Sequence, residues 1–211
     1  MVKKALIIVQ GINTQREYMT PTLKLVKKFF NRYDTIEYTH TEDIFDGTIT
    51  AKFVDQADFI PYFFREKKRK EVCKLVNEKI ATLSALGFEV DVLAHSLGCI
   101  IALQSGRKLI PLNVNRMITG CVLITLQSPI HNWVYGWYVR MKVRKHSGGL
   151  TVTNFITTWN PNDKLVAGGD LNIDRFIKSL KTIILSWLQQ KVGKGHDWQL
   201  ALVDLIKKGL V

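Results

Sequence analysis

The sequence predicts an α/β protein with a mostly parallel central sheet covered by helices on both faces. Two observations carry that expectation. Short continuous apolar runs, of which Ala5-Leu6-Ile7-Ile8-Val9 is the first, read as strands buried on both sides. Between them lie longer stretches whose apolar residues recur at helical spacing, the alternation expected of a sheet with helical crossovers. With 211 residues and an apolar fraction of 46%, the chain suits a single domain over 1–211 with a sizeable core.

The elements follow in order. Ala5 to Val9 ends at Gly11, a strand followed by a loop. Pro21 opens a helix with an inward stripe of Leu23, Leu25, Val26, Phe29 and Phe30. Thr35 to His40 alternates as a strand does, and from Thr41 to Tyr62 the periodicity is poor, which predicts a long excursion. Lys67 to Leu86 is a helix whose apolar face is Val72, Leu75, Val76, Ile80 and Leu83, and Gly87 stops it. Phe88 to Ala94 reads as a buried strand despite Glu89 and Asp91. Ser96 to Lys108 then changes at once to helical spacing. Met117 to Leu126 and Thr151 to Thr158 are the next strands, joined by a long aromatic and basic connection. Helices over Ile173 to Gln190 and Trp198 to Lys208 complete the chain.

Composition removes several classes of function. The apolar start at Ala5 is interrupted by Gln10-Gly11 before it reaches the length of a secretory signal, and no run approaches the roughly 20 apolar residues of a membrane span, so a cytoplasmic protein is expected. Cys73, Cys99 and Cys121 are few and scattered, which indicates neither a disulfide framework nor a zinc cluster. The loop after the first strand, Gln10-Gly11-Ile12-Asn13-Thr14, lacks the glycines of a dinucleotide or phosphate-binding loop. No cofactor is therefore expected. The formal net charge of +12 is concentrated in runs at 65–70 and 140–145, which suits a solvated face or an anion-attracting surface, but no recognised nucleic-acid reader accompanies it.

The sharpest local signal is Phe88-Glu89-Val90-Asp91-Val92-Leu93-Ala94-His95-Ser96-Leu97-Gly98. It puts a serine at an abrupt strand-to-helix junction, with the small residues Ala94 and Gly98 two positions away on either side. A turn this tight crowds the backbone, and the following helix aims its positive end at any charge developing on the serine oxygen. A helix-capping serine would use the same local geometry. The segment resembles the nucleophile elbow of the α/β-hydrolase superfamily, particularly small lipases and esterases, with Ala94 where the pattern Gly-x-Ser-x-Gly has its first glycine. Val122 to Pro129 also resembles a strand-end Leu-Gly-Ser-Pro segment of lipase-like members, with Gln127 in place of the glycine; Ser128 there reads as a turn residue.

The resemblance implies a serine hydrolase whose triad runs in the chain order serine, acid, histidine. A serine hydroxyl needs a histidine base, and the histidine needs an acid to hold its tautomer. After Ser96 the acids weighed are Asp163, Asp170 and Asp174. Asp163 is preferred because it follows a late strand in the polar turn Asn160-Pro161-Asn162-Asp163, and Asp174 reads as a cap of the next helix. Of His131, His146 and His196, only His196 follows the preferred acid, in a loop near the end of the chain. His95 has the weaker claim to be the base, because its side chain should leave the elbow in another direction. The oxyanion hole implied by the resemblance uses the backbone N–H groups of Leu97 and Ile12.

The expected reaction is cleavage of a carboxylic ester through an acyl-enzyme. A basic surface- or nucleic-acid-interaction module on a non-catalytic hydrolase scaffold is the alternative. Residues 129–150 are expected to form a substrate-shaping lid, in which Trp133, Tyr135, Trp137 and Tyr138 bury apolar area while Arg140, Lys142, Arg144 and Lys145 meet an anionic surface or lipid interface. The expected partner is an ester-containing substrate.

Overall fold

The computed structural model describes residues 2–11, 22–39, 66–105, 121–146, 151–164, 166–180, 183–193 and 195–211. Six strands, β1 (Lys4–Val9), β2 (Thr35–Thr39), β3 (Glu89–His95), β4 (Cys121–Leu126), β5 (Thr151–Trp159) and β6 (Ile183–Lys191), form one sheet in the order β2-β1-β3-β4-β5-β6. Every pairing is parallel. The helices are α1 (Lys24–Phe30), α2 (Glu66–Ala85), α3 (Leu97–Gln104), α4 (Gly136–His146), α5 (Ile173–Lys178) and α6 (Trp198–Lys207), with a 3-10 turn over Pro129–His131.

Strand alternation sorts the core into two layers. Ala5, Ile7 and Val9 of β1, with Val90, Val92 and Ala94 of β3, face buried residues of α2, α3, α4 and α5. Leu6, Ile8, Leu93, Ile124 and Ile156 face the other way, against α1 and α6. There the Phe30 and Trp198 rings meet edge to face at 6.2 Å. The mostly parallel sheet with both faces covered is the predicted fold class.

Glu89 and Asp91 enter β3 without cost to the core. Glu89 lies at the exposed start of the strand, and Asp91 accepts hydrogen bonds from Tyr33 Oη at 3.0 Å and Val122 N at 2.9 Å. Burial, the largest influence on Asp91, raises its pKa.

One element differs from the sequence expectation. The helix predicted over Ile173 to Gln190 is the short α5 followed by strand β6. Apolar residues at 173, 176, 177, 180, 184, 187 and 188 do follow a helical period. However, Ile183-Ile184-Leu185-Ser186-Trp187 also has the composition of a strand, and pairing along the whole of β5 satisfies the backbone of both. Tertiary pairing overrides the local period. The excursion expected over 41–62 lies outside the described residues, as do 117–120 of the strand predicted to start at Met117. No described helix is long and apolar enough to cross a membrane, and no described cluster of three His, Cys, Asp or Glu could hold a metal ion.

Strand order fixes where a site can form. Strand β1 has its successor β2 on one side and β3 on the other, so the strand order reverses between β1 and β3. Such a point opens a crevice at the end of a parallel sheet.

Candidate active site

Ser96 lies at that point, just after β3 and beside the end of β1. It stands between β3 and α3 with φ 53° and ψ −124°, a conformation costly for a residue with a Cβ. The turn is held by its neighbours, since Ser96 N donates to Leu126 O at 3.1 Å and Cys99 N donates to Ser96 O at 3.1 Å. A Cβ on Gly98 would collide with the Val9 carbonyl oxygen and lie 2.7 Å from that of Gln10, so only glycine lets α3 pack on the end of β1. Gly11 also comes near, less tightly, where a Cβ would sit 3.0 Å from Ser96 Cβ. Gly11 thus permits a close approach to the serine. The capping alternative fails, because the Ser96 side chain makes no cap hydrogen bond to α3.

Asp163 and His196 are brought together from 33 residues apart. His196 Nδ1 lies 2.6 Å from Asp163 Oδ2, and Asp163 Oδ1 accepts from Val166 N at 2.9 Å. A carboxylate facing Nδ1 requires the proton there, which leaves Nε2 as the basic nitrogen. The Asp163 side chain is fully buried, whereas that of His196 is 17% exposed. The carboxylate is shielded from water while the ring keeps one edge open. Asp170 is exposed, and Asp174 accepts from Trp187 Nε1 at 2.6 Å. The cap of α5 is Asn172 rather than Asp174, accepting from Arg175 N at 3.0 Å.

The His196 and Ser96 neighbourhoods meet through His95, whose ring centroid lies 4.6 Å from that of His196. Neither Ser96 Oγ nor His196 Nε2 makes a hydrogen bond among the described residues.

The whole chain aligns with solved structures at low identity. It is similar to the Arabidopsis thaliana SOBER1 structure at 15% identity, with 99% of this chain and 100% of that chain covered and a TM-score of 0.52. A dienelactone hydrolase from Anabaena variabilis matches at 9% identity, covering 99% and 84% of the two chains at a TM-score of 0.54. A Pyrococcus furiosus esterase matches at 12% identity, covering 98% and 80% at a TM-score of 0.54. The chain has the α/β-hydrolase fold. No protein-family model matches it, and no curated protein matches it in sequence.

Within the α/β-hydrolase fold, Leu97 is the first residue of α3, so its N–H belongs to the helix turn that has no intrahelical acceptor. Ile12, the other expected oxyanion donor, lies outside the described residues. His131 is buried, with Nδ1 3.1 Å from Gly169 O and Nε2 3.0 Å from Thr157 Oγ1.

Contacts of three residues at the site are not anticipated from the sequence, although His95 is weighed there as a base. Gln127 Oε1 lies 3.0 Å from His95 Nε2, and its Nε2 donates to Gly195 O at 2.6 Å. Buried Asn160 donates from Nδ2 to Gly193 O and, at 3.0 Å, to Gly195 O. His95 is the third. Burial first and the nearby His196 second push its pKa down to about 3, so the ring is neutral. The clue available in sequence was polar residues at strand ends, which turns also explain.

Of the expected lid, 147–150 lie outside the described residues, and the rest is the 3-10 turn, a short connection and α4. Val139 and Val143 of α4 are in the core, and Trp133, Val134 and Trp137 are exposed. Trp133 leans on the acid loop, since a Cβ on Gly169 would lie 2.5 Å from its Nε1. Arg140 points inward, donating to Ile130 O at 2.5 Å, and Lys142 Nζ lies 5.3 Å from the Tyr138 ring centroid. Arg144 and Lys145 are exposed.

Proposed function

We propose that this chain is a single-domain serine hydrolase that cleaves carboxylic esters, with Ser96 as nucleophile, His196 as base and Asp163 as the acid that orients it. The His196–Asp163 bond at 2.6 Å carries the reading, because it leaves a basic Nε2 at the same end of the sheet as a strained serine. Two fold neighbours named as an esterase and a dienelactone hydrolase favour an ester bond.

In this reading His196 Nε2 takes the Ser96 proton as Oγ attacks the substrate carbonyl carbon. The Leu97 and Ile12 N–H groups stabilise the resulting oxyanion, where one misplaced donor costs about 3 to 4 kcal/mol. Collapse expels the alcohol, which takes its proton from His196. Water then attacks the acyl-enzyme with His196 again as base, returning the serine and releasing the acid.

The exposed Trp133, Val134 and Trp137, followed by exposed Arg144 and Lys145, make 129–150 the substrate-facing lid of this proposal, suited to an anionic lipid interface. The inward Arg140 takes no part in that surface. A panel of chromogenic esters of graded acyl length, run on wild-type protein and on Ser96→Ala, tests the function. Turnover that disappears in the variant is expected; equal turnover in both, or none with any ester, rejects it.

A further inference from the structure

Among the described residues only two besides glycines have positive φ, Ser96 at 53° and Gln127 at 50°. A glycine would occupy position 127 without the clash that a Cβ brings to this region. Gln127 is 2% exposed, so the strained backbone carries a side chain that is shielded from solvent. What it does meet is the base loop and the neighbour of the nucleophile.

The amide can be oriented without ambiguity. Gly195 O only accepts, so the amide nitrogen must face it, and Oε1 must therefore face His95. His95 Nε2 then carries the proton. One side chain thus joins the residue before Ser96 to the residue before His196, and the His95 ring lies 4.6 Å from the His196 ring between them. The backbone of Gln127 is itself fixed, with its N–H donating to Thr158 Oγ1 at 2.8 Å. Asn160 holds the same loop at Gly193 and Gly195 from the other side.

We propose that Gln127 is a positioning residue: its amide tethers the 193–196 loop to His95 and so sets His196 against Ser96. The role rests on the serine-hydrolase reading above. A tether explains why a strained glutamine stands where glycine would be relaxed, which filling space does not.

Two variants test it. Gln127→Gly relaxes the backbone and removes the tether. Gln127→Glu keeps an acceptor for His95 but places an oxygen against Gly195 O, so it reports even if the glycine variant fails to fold. With a soluble acetate ester, both should lower kcat by about 10²-fold, the cost of a misplaced catalytic group, while KM changes little because the buried Gln127 amide is engaged by His95 and Gly195. Amide hydrogen exchange over 193–196 should accelerate while the circular dichroism stays native-like. Variants that match wild type in kcat, or that lose kcat with unchanged exchange in the loop, overturn the positioning role alone. A wild type that leaves the ester intact, as Ser96→Ala does, overturns the hydrolase reading and the positioning role with it.

Discussion

His131, which follows β4, and His196, which follows β6, both bond to the loop after β5, and they use their ring nitrogens differently. His131 spends both ring nitrogens, donating to Gly169 O and accepting from Thr157 Oγ1, and burial pushes its pKa down to about 4. His196 spends one nitrogen on Asp163 and leaves the other uncommitted among the described residues. A base needs a nitrogen to spare, whereas a fastener does not. The contrast separates two histidines that chain order alone does not: one has both ring nitrogens occupied, the other keeps a nitrogen without a partner among the described residues on a partly exposed ring.

Exchanging the two tests by mutation gives the largest expected effects. His196→Ala should lower ester turnover by about 10⁴-fold or more while leaving the fold near native, since the ring is partly exposed. His131→Ala should instead cost about 2 to 4 kcal/mol of stability through a cavity and two stranded polar groups, read by urea unfolding. Reversed outcomes would break the comparison. The acids sharpen it: Asp163→Asn should cost about 10⁴-fold in turnover by spoiling the His196 tautomer, and the exposed Asp170 should tolerate the same change with little loss.

A smaller effect is read in pH. His131 and His95 protonate near 6.5 when unfolded, but only at about 4 and about 3 in the fold. The unfolded chain therefore binds more protons as pH falls, so stability is full above the unfolded value and declines from there toward the folded values. Each ring should contribute a slope approaching ~1.4 kcal/mol per pH unit within that window. His131→Gln should remove one ring's share of the slope in urea unfolding from about pH 7.5 to about pH 5; an unaltered slope contradicts the assignment.

The weakest effect belongs to the exposed aromatics. Trp133→Ala with Trp137→Ala should weaken KM for dispersed long-chain esters by about 10-fold, equivalent to ~1.4 kcal/mol, and spare a soluble acetate ester. Equal changes for both substrates would leave 129–150 as a structural segment.

What could be read from sequence divides along the same physical line. The elbow was legible because a strained turn imposes small neighbours at fixed offsets, which Ala94 and Gly98 supply. The pairing of Asp163 with His196 was legible through their order and their strand-end positions, given the superfamily resemblance. Strand β6 was not, because its apolar residues satisfy a helical period and only pairing with β5 decides between the two. The Gln127, His95 and Asn160 bonds were illegible for a related reason, since side chains 32 to 68 residues apart leave no local pattern.

The nucleophile assignment is tested most directly by covalent labelling with a fluorophosphonate followed by mass mapping of the modified peptide. A single adduct on Ser96 is predicted, formed by wild-type protein, slowed severely in His196→Ala and absent from Ser96→Ala. Labelling at another serine, or none on folded wild-type protein, would contradict the account.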